Sequence, residues 1–484
     1  MKTKPMKHQE EGQRRLDANP ELYGLGAEQG TGKTWMLLND AERQFASGNI
    51  NGCIVLAPKG VHANWVLREI PTHMSVPVRA AYYVSGMGAK KKAAIERLLR
   101  GPEDGVLTVL AMNIDAVNTP MGRQVARQFL EKYRAMMAID ESHRIKNPDA
   151  ERTKHAIALG RRAVSRRIAS GTMSGGSPLD LFAQFEFLAP GRGLLGTKSY
   201  RAFVAEYAEV LPSTHPMVAD ILRRTGRMPQ IVNTDALGRP VYKNIAKLHA
   251  IIEPYVYRVL KKDCLDLPEK IYQTILFELE PAQQKVYDQI KEQLRYERDC
   301  GTIDKFNALT VMTKLRQVTS GFLMLDGVAT RIQEDTARLQ LLREIAKDIS
   351  GPFIVWASFK EELSQVAAAL RADGLRVVEY HGGTNDKDRN AAVDAIQSGT
   401  ADVFVGQQDS GGIGLTLTKA ETTIYYSNTF SLITRLQSED RNHRIGTTGR
   451  VRYIDLAAAG TIDERIAAAL QSKADVAAAL LDGL

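Results

Sequence analysis

The chain of 484 residues is 44% hydrophobic and 25% charged, the composition of a soluble globular protein that is too long for a single hydrophobic core. No apolar stretch approaches the roughly 20 residues of a membrane-spanning helix, the amino terminus lacks the apolar core of a secretion signal, and the three cysteines are far apart, so we expect a cytoplasmic protein with two or three domains. The net charge of +8 favours a polyanionic partner such as nucleic acid, although mildly basic enzymes are common.

Short apolar runs that favour β-strands alternate with helical patterns in two separate blocks of the chain. The first block has such runs at 52–57, 107–110, 136–139 and 166–169. The second block has them at 353–356, 376–380, 403–405, 423–426 and 451–456. Because this alternation is typical of doubly wound parallel sheets, we predict an α/β fold with two parallel-sheet lobes.

The stretch between the two blocks is mostly helical and less regular, with loop signals at 191–193 and 237–240. We therefore predict three segments: a first lobe at 1–190, a mostly helical insertion and inter-lobe region at 191–340, and a second lobe at 341–484. A cleft between the lobes is then the expected place for a binding site.

A glycine-rich segment at 27–34, Ala-Glu-Gln-Gly-Thr-Gly-Lys-Thr, predicts a phosphate-binding loop, although Ala27 stands where the strict pattern has glycine. The two glycines let successive backbone N–H groups point at phosphates, Lys33 supplies a positive charge, and the Thr34 hydroxyl can bind Mg²⁺. The helix predicted to follow directs its positive end at the same anion. A glycine-rich turn that merely precedes a helix is the alternative. The predicted ATP-binding residues of this loop are Gly30, Thr31, Gly32, Lys33 and Thr34.

Two carboxylates follow an apolar run at 135–139 that is typical of a buried parallel strand. Asp140 and Glu141 would then lie at the carboxyl end of a strand, where open α/β sheets bind their ligands. We predict that Asp140 holds Mg²⁺ and that Glu141 orients and deprotonates the water that attacks ATP. A surface Asp-Glu pair without a role is the alternative. Together with the phosphate-binding loop, this pair predicts an ATPase.

Arg441 and Arg444 are three residues apart, so on a helix they would share one face. Two guanidinium groups that reach across a cleft can neutralise charge on a γ-phosphate, which is the role of an arginine finger. A charged helix exposed to solvent is the alternative. The glycine-rich turn at 411–417 follows a predicted strand and can bring the backbone close to a phosphate.

The order of these segments resembles that of the superfamily-2 helicases, and specifically of the SWI/SNF-type DNA translocases. The resemblance covers nearly the whole chain. It departs from the usual pattern of the family at Ala27, at 429–430 and at Thr447, which removes no catalytic group but leaves the subfamily open. The matching segments are 8–12, 27–34, 140–147, 170–172, 258–270, 315–318, 437–446 and 460–464.

The resemblance implies two RecA-like lobes, ATP and Mg²⁺ as cofactors, and a DNA-dependent ATPase that translocates on duplex DNA. At the matching positions, Gln9 would contact adenine, Gly412 and Gln437 would lie at the nucleotide, and 170–172 would couple hydrolysis to nucleic-acid contacts. Contacts to DNA phosphates would make binding independent of sequence and sensitive to salt. The DNA track of the family would correspond to Pro58, Lys59, Asn113, Ser358, His381, Gly382 and Thr416.

Three basic clusters add candidate nucleic-acid contacts, of which we expect one to contribute, because most charge runs are solvated surfaces. The third cluster, with Arg223 and Arg224 as its predicted contacts, lies where the family has protrusions that grip the duplex. The apolar spacing at 462–480 predicts a helix packed on the second lobe, with a partner-docking surface as the alternative. The clusters are Lys90 to Lys92, Arg161 and Arg162 with Arg166 and Arg167, and Arg223 and Arg224 with Arg227.

We therefore predict a bacterial or phage-type monomeric motor that remodels protein–DNA complexes or branched DNA in the cytoplasm, at the nucleoid. A strand-separating DNA or RNA helicase is one alternative, although the sequence offers no convincing wedge or pin. An ATP-gated DNA-binding scaffold is another, and the intact Lys33, Glu141, Arg441 and Arg444 argue against it. The sequence does not identify a recruiting protein.

Overall fold

The computed structural model describes residues 1–59, 61–235, 239–299, 305–408 and 415–481. Side chains are described in these ranges except at 294–299, 305–309, 386–387 and 478–481. The chain forms two compact units. The first unit comprises Met1–Asp266 and Lys473–Leu484, and the second comprises Leu267–Ser472.

The strands of the first unit, within the described ranges, form one sheet in the order β3-β4-β2-β5-β6-β1-β7, and every pair is parallel. They are β1 (Leu22–Ala27), β2 (Gly52–Ala57), β3 (Val78–Tyr83), β4 (Leu107–Asn113), β5 (Ala135–Asp140), β6 (Ser165–Ala169) and β7 (Val256–Val259). The helices are α1 (Lys7–Ala18), α2 (Lys33–Ala46), α3 (Val61–Asn64), α4 (Ile70–His73), α5 (Ala89–Leu98), α6 (Pro120–Lys132), α7 (Glu151–Gly160), α8 (Leu181–Leu188), α9 (Tyr200–Tyr207), α10 (Pro216–Thr225), α11 (Ile245–Ile252) and α12 (Lys261–Cys264).

The second unit has a six-stranded sheet in the order β12-β13-β11-β14-β15-β8, again with parallel pairs, and a separate antiparallel hairpin of β9 and β10. Its strands are β8 (Lys270–Phe277), β9 (Phe322–Leu325), β10 (Val328–Arg331), β11 (Phe353–Ala357), β12 (Val377–Tyr380), β13 (Val403–Gln407), β14 (Thr422–Tyr425) and β15 (Val451–Ala458). Its helices are α13 (Pro281–Asp299), α14 (Lys305–Thr319), α15 (Ala337–Lys347), α16 (Lys360–Ala372), α17 (Asp386–Ser398), α18 (Leu432–Glu439) and α19 (Ile462–Leu481), the last of which continues into the first unit.

Both large sheets are covered on both faces, which confirms the predicted fold class. Side chains alternate along a strand, so Ile54 and Leu56 of β2 enter one apolar cluster while Cys53 and Val55 enter another on the opposite face. The same division holds in the second unit, where alternate residues of β11 belong to different clusters. Burial on both faces explains why these strands are continuous apolar runs in the sequence. Among the described residues, no helix is both long and apolar enough to cross a bilayer.

The stretch predicted as a helical insertion, 191–340, is divided between the two units at Asp266 and Leu267. Helices α9 to α11 and strand β7 belong to the first unit, whereas β8, α13, α14 and the β9–β10 hairpin belong to the second. The division of the chain into three domains stays a prediction.

The prediction that Arg166 and Arg167 belong to an exposed basic cluster is wrong. Both lie in β6, where their side chains are buried. Arg166 donates to the carbonyl oxygens of Leu188 and Ala163 at 2.6 and 2.7 Å. Arg167 Nε donates to Asp40 Oδ2 on α2 at 2.9 Å, and both side chains of this ion pair are at most 2% exposed. These arginines therefore hold secondary structure together and cannot reach a polyanion.

The buried Arg167–Asp40 pair predicts a stability defect. Asp40→Ala leaves the guanidinium buried without its counter-charge, so we expect the free energy of unfolding of the first unit to fall by about 3–5 kcal/mol. Urea denaturation followed by circular dichroism measures this change. The control is Glu131→Ala, which removes an exposed pair with Arg127 whose side chains are 63% and 42% exposed, and which should leave the midpoint near that of the wild type. Equal midpoints for the two variants would contradict the prediction.

Candidate functional site

The candidate site of the first unit lies where three neighbouring strands end at the same edge of the sheet. Ala169 of β6 is in register with both Asp140 of β5 and Leu25 of β1. The loops that follow these strands therefore leave the sheet side by side. A Cβ atom built on Gly171 would lie 3.2 Å from the backbone nitrogen of Gln29, which shows that the loop after β6 packs directly on the loop after β1.

The loop between β1 and α2 has the geometry of a phosphate-binding turn. Gly30 and Gly32 both have φ of 85°, a left-handed conformation that favours glycine. The Thr31 hydroxyl donates to the carbonyl oxygen of Glu28 at 2.7 Å and closes the turn. Lys33 is the first residue of α2 and is buried, and Thr34 is half-buried. The predicted helix is confirmed, and its unpaired backbone N–H groups begin at this loop.

Strand β7 fixes this loop from the other side. The guanidinium of Arg258 donates to the carbonyl oxygens of Gly26 and Gly171 at 3.0 and 3.1 Å, so that one side chain joins the end of β1 to the loop after β6. At the start of α12, the backbone N–H of Lys261 donates to Glu28 Oε2 at 2.6 Å. The segment 258–263 therefore supports the phosphate-binding turn directly.

Helix α1 contributes two side chains that contact the phosphate-binding loop. Gln9, predicted to contact adenine, accepts from the backbone N–H of Met6 at 2.9 Å and donates to the carbonyl oxygen of Thr31 at 3.4 Å. His8 Nε2 lies 2.7 Å from the same carbonyl oxygen. A Cβ atom on Gly32 would lie 2.0 Å from Gln9 Nε2, so a larger residue would displace the Gln9 amide from its contact with the loop. Residue type alone gives no reason to single out His8 for this contact.

The acidic pair lies at the end of β5, and its two carboxylates have opposite pKa shifts. Burial and the adjacent charge of Glu141 raise the pKa of Asp140 to about 6. Burial alone would raise the pKa of Glu141 as well, but the charge of Lys33 and hydrogen bonds from His143 and Ser170 lower it to about 2. Lys33 acts on both carboxylates, so the structure brings these three predicted residues together.

A small hydrogen-bonded network orients Glu141. His143 Nδ1 lies 3.2 Å from Glu141 Oε2 and 3.0 Å from the Ser170 hydroxyl. That hydroxyl also lies 3.3 Å from Glu141 Oε2 and accepts from the backbone N–H of Thr172. The acidic loop and the loop at 170–172 are thus joined through one carboxylate oxygen.

A buried amide, Gln184, is a further residue at the site that the sequence reasoning missed. Its side chain accepts from the Ser142 hydroxyl at 2.7 Å and donates to the carbonyl oxygens of Met173 and Asp180 at 2.7 and 2.8 Å. Gln184 is fully buried on α8, in an otherwise mostly apolar helix. A polar residue on the buried face of such a helix is the signal that could have indicated it.

The donor groups at the site fit Mg²⁺, which prefers oxygen ligands and usually keeps several waters. Thr34 offers a hydroxyl and Asp140 a carboxylate. Burial, followed by the adjacent charge of Glu141, raises the pKa of Asp140, and a bound divalent cation would favour its ionised form. In the described ranges, no group of three or more His, Cys, Asp or Glu side chains could enclose a metal ion by itself. These two residues therefore fit a Mg²⁺ ion whose other ligands would be oxygens of phosphate and water.

The prediction that Arg441 and Arg444 share a helix face is wrong. Helix α18 ends at Glu439, and both arginines lie in the turns that follow it. Arg441 is buried, and Arg444 donates to the carbonyl oxygen of Leu415 at 3.1 Å and to the hydroxyl of Thr416 at 3.0 Å. Gln437, predicted to lie at the nucleotide, is half-buried on α18. Gly412 lies outside the described residues.

The turns that carry Arg441 and Arg444 are not helical, and buried polar side chains fix their conformation. Asn442 is fully buried and donates to the carbonyl oxygen of Ala420 and the hydroxyl of Thr423 at 2.9 and 3.0 Å. Thr447, where the family has Gln, donates to the carbonyl oxygens of Asn442 and Arg444 at 2.6 and 2.8 Å. This departure from the family pattern therefore closes the turn that carries Arg444.

Helix α18 is anchored by a buried ion network around Glu439. Lys270 Nζ, Tyr272 OH and Arg435 Nε lie 3.0, 2.7 and 2.8 Å from its carboxylate oxygens. Burial alone would raise the pKa of Glu439, but the charges of Lys270 and Arg435 lower it to about 2. Because Lys270 and Tyr272 belong to β8, the network ties α18 to the edge strand of the sheet.

The residues predicted for the DNA track lie mostly just beyond strand ends. In the first unit, Lys59 is exposed two residues after β2, and Asn113 ends β4, where its side chain accepts from the backbone N–H of Asp115. In the second unit, Ser358 follows β11 and His381 follows β12, while Thr416 bonds Arg444. In each unit, most of the residues predicted for the DNA track thus lie at the carboxyl edge of the sheet. Their roles in DNA binding stay predictions.

Two of the predicted basic clusters are exposed. Lys90, Lys91 and Lys92 lie on α5, where Lys91 Nζ is 4.8 Å from the ring centroid of Tyr82. Arg223, Arg224 and Arg227 lie at and beyond the end of α10 and are exposed to solvent. Both clusters are accessible to a polyanion.

Two parallel-sheet units, with a phosphate-binding turn and an acidic pair at one sheet edge, define a protein of the two-lobed helicase class. The chain matches the model of the SNF2-related domain over residues 16–323 and that of the helicase conserved C-terminal domain over residues 337–451. It therefore belongs to the SNF2-related family of superfamily-2 helicases, which confirms the resemblance read from the sequence.

Individual relatives are distant and much longer. The chain is 24% identical to the protein CHROMATIN REMODELING 24 of Arabidopsis thaliana, over 91% of this chain and 43% of the relative. It is 23% identical to the human SWI/SNF-related matrix-associated actin-dependent regulator of chromatin subfamily A member 1, over 91% of this chain and 40% of the relative. The chain thus spans less than half the length of these curated relatives. A solved Sulfolobus solfataricus SWI2/SNF2 ATPase core in complex with dsDNA is 21% identical, with a TM-score of 0.42 and coverage of 96% of this chain and 90% of that one.

The contact between Gln9 and the phosphate-binding loop predicts that Gly32→Ala impairs nucleotide binding. The new Cβ would meet the Gln9 amide and would place alanine at φ of 85°, at a cost of about 1–2 kcal/mol, so we expect roughly tenfold weaker binding of a fluorescent ATP analogue. Gly48→Ala is the matched control, because Gly48 has φ of 74° but no heavy atom within 4 Å of its added Cβ. If both variants bound the analogue equally well, the contact would have no role in binding.

Proposed function

We propose that this chain hydrolyses ATP in response to duplex DNA and uses the energy to translocate along the duplex, remodelling protein–DNA complexes or branched DNA. The observation that carries the proposal is the assembly of the phosphate-binding turn, Lys33 and the two carboxylates at one sheet edge. The family assignment supports the same activity, and the name of the Arabidopsis relative refers to chromatin remodelling.

In this mechanism, each residue of the first unit has a distinct role. The backbone N–H groups at the start of α2 and the charge of Lys33 bind the β- and γ-phosphates. Thr34 and Asp140 would hold Mg²⁺, which would offset the charge of the phosphate oxygens when bound. Glu141, ionised at neutral pH and oriented by His143 and Ser170, accepts a hydrogen bond from the attacking water. The water oxygen bonds to the γ-phosphorus, the bond to the ADP oxygen breaks, and the proton of the water leaves through Glu141 to solvent.

The second unit supplies the arginines. We assign Arg441 and Arg444 to the neutralisation of the γ-phosphoryl charge as it is transferred, as arginine fingers do. The structure supports this role through the buried polar contacts of Asn442 and Thr447, which hold the backbone of the arginine-bearing turns in one conformation. Gln437, on the preceding helix, is proposed to contact the nucleotide.

DNA is the proposed track because the chain is basic and its candidate contacts are suited to phosphate. Hydroxyl, amide, imidazole and ammonium groups bond phosphate oxygens without reading bases, which predicts binding that is independent of sequence. The proposed contacts are Lys59, Asn113, Ser358, His381 and Thr416, with Arg223 and Arg224 on the first unit. A monomeric state and a cytoplasmic, nucleoid-associated setting stay predictions.

A strand-separating helicase is the second candidate, and the β9–β10 hairpin favours it. The tip of this hairpin turns at Asp326 and Gly327, both with positive φ. Leu325 and Val328 flank the turn and are 50% and 67% exposed. An exposed apolar tip on a hydrogen-bonded hairpin is the kind of wedge that the sequence did not reveal.

The proposed function predicts ATP hydrolysis that is stimulated most strongly by duplex DNA. The experiment measures steady-state hydrolysis without nucleic acid and with duplex DNA, single-stranded DNA or RNA, at about 50 and 200 mM salt, because phosphate contacts weaken steeply over this range. Stimulation by duplex DNA that falls at the higher salt is the expected result. Stimulation only by single strands or RNA would favour the helicase, and no stimulation by any of them would contradict the proposal.

Three substitutions separate binding from chemistry. Lys33→Ala should abolish hydrolysis and weaken nucleotide binding, whereas Glu141→Gln should abolish hydrolysis and leave nucleotide binding largely intact. Arg441→Ala should lower the hydrolysis rate by about 10³ or more, on the scale of other arginine fingers. Nucleotide affinity of the Arg441 variant, measured in parallel, is the control for folding of the first unit. Wild-type hydrolysis by Arg441→Ala would contradict the assigned mechanism.

A further inference from the structure

Asp140, the predicted metal ligand, accepts a hydrogen bond that the proposed mechanism does not use. The indole N–H of Trp65 donates to Asp140 Oδ2 at 3.3 Å, and Trp65 is 1% exposed. An indole N–H is a donor only, so it can satisfy a carboxylate oxygen but cannot compete with it for a cation. The bond therefore fixes one oxygen of Asp140 and restricts rotation of the carboxylate.

The backbone around Trp65 is irregular in a way that the sequence explains. Helices α3 and α4 are joined by a π-helical turn at Trp65–Glu69, in which the N–H of Ile70 bonds the carbonyl oxygen of Trp65. Pro71 follows directly, and in a regular α-helix its ring would clash with the carbonyl group four residues earlier. A regular α-helix through this segment is therefore disfavoured. Such π-helical turns are rare and are often found at functional sites.

The segment that carries Trp65 also carries a proposed nucleic-acid contact. The carbonyl oxygen of Pro58 accepts from the backbone N–H groups of Val61 and His62 at 3.1 and 3.3 Å, so the backbone just before Lys59 is bonded to the start of α3. The ring of His62 is buried and packs edge-on against Tyr82 of β3, with centroids 6.0 Å apart. Lys59 therefore adjoins a backbone bond to the packed helical segment that carries Trp65.

We propose that Trp65 is a positioning residue that orients Asp140 for the metal and makes this orientation depend on the segment that carries Lys59. A DNA phosphate at Lys59 would shift this segment, and the shift would reach the metal ligand through the indole N–H. This inference rests on the proposed function for the identity of the metal ligand and of the track. It adds a physical route between nucleic-acid binding and the nucleotide site.

Trp65→Phe tests the proposal, because phenylalanine keeps an aromatic ring and loses the N–H. The matched control is Trp35→Phe, since Trp35 is also buried in the first unit and donates to the hydroxyl of Thr3 at 2.9 Å. The measurement is the magnesium concentration that half-saturates the binding of a fluorescent ATP analogue. We expect this concentration to rise about tenfold in Trp65→Phe, the scale for groups that orient metal ligands, and to stay at the wild-type value in Trp35→Phe.

Duplex DNA provides the second arm of this experiment. Binding free energies are reciprocal, so DNA should lower the half-saturating magnesium concentration of the wild type, and this effect should be lost in Trp65→Phe. The proposal is overturned if Trp65→Phe and Trp35→Phe require the same magnesium concentration, or if DNA acts equally on both. The magnesium titration measures nucleotide binding and does not need hydrolysis. If the wild type showed no DNA-stimulated hydrolysis, the proposed function would be contradicted, but the role of Trp65 in magnesium binding would still be tested by this titration.

A fluorescence measurement keeps the proposal testable if Trp65→Phe does not fold. The chain has three tryptophans, so the double variant Trp35→Phe/Trp356→Phe retains Trp65 as its only indole. Adding magnesium to this variant when it is saturated with nucleotide should change the emission of Trp65, because the acceptor of its N–H binds the metal. The proposal would be overturned if the emission spectrum stayed the same at a magnesium concentration that supports tight nucleotide binding.

Discussion

The parallel pairing of β6 with both β1 and β5 is the constraint on which the candidate site depends. Because Ala169 is level with Asp140 and Leu25, three loops that are distant in sequence leave the sheet together. A slip of one residue in either pairing would turn alternate side chains to the opposite face and would separate the acidic pair from the phosphate-binding turn. The apolar clusters on both faces of the sheet oppose such a slip, so the packing of the core also sets the geometry of the chemistry.

Two buried charges in the described part of the protein are each neutralised by opposite charges close by. Arg167 is balanced by Asp40 within the core, and Glu439 is balanced by Lys270 and Arg435 beneath the arginine-bearing turns. The acidic pair differs, because the charge of Lys33 does not offset burial and the adjacent charge of Glu141, so the pKa of Asp140 remains raised. A structural ion pair needs its charges to be matched, whereas a site for a divalent cation needs a surplus of negative charge.

Most of the central strands could be predicted from the sequence because burial on both faces makes them continuous apolar runs. Strand β1 could not, since Gly24 and Gly26 indicate a loop, although the structure requires them where Ile168, Val256 and Met173 approach closely. Edge strand β8 was missed because much of it is exposed. The motifs at 27–34 and 140–143 indicated the proposed catalytic groups. The contacts of Gln184 and Trp65 could not be predicted, because they join residues 42 and 75 positions apart in the chain. The arginine turn was predicted as a helix because spacing of three fits a helix, and the buried side chains that hold a non-helical turn have no such period.

The backbone of Glu141 has a consequence for how this chain can vary. Its φ of 56° is left-handed, a conformation that costs a residue other than glycine about 1–2 kcal/mol. Glycine at this position would relieve the strain and would remove the carboxylate at the same time. Selection for a more stable fold and selection for the proposed hydrolysis would therefore act in opposite directions on one codon, and a stabilised descendant of this chain without that hydrolysis would be expected to differ at this position.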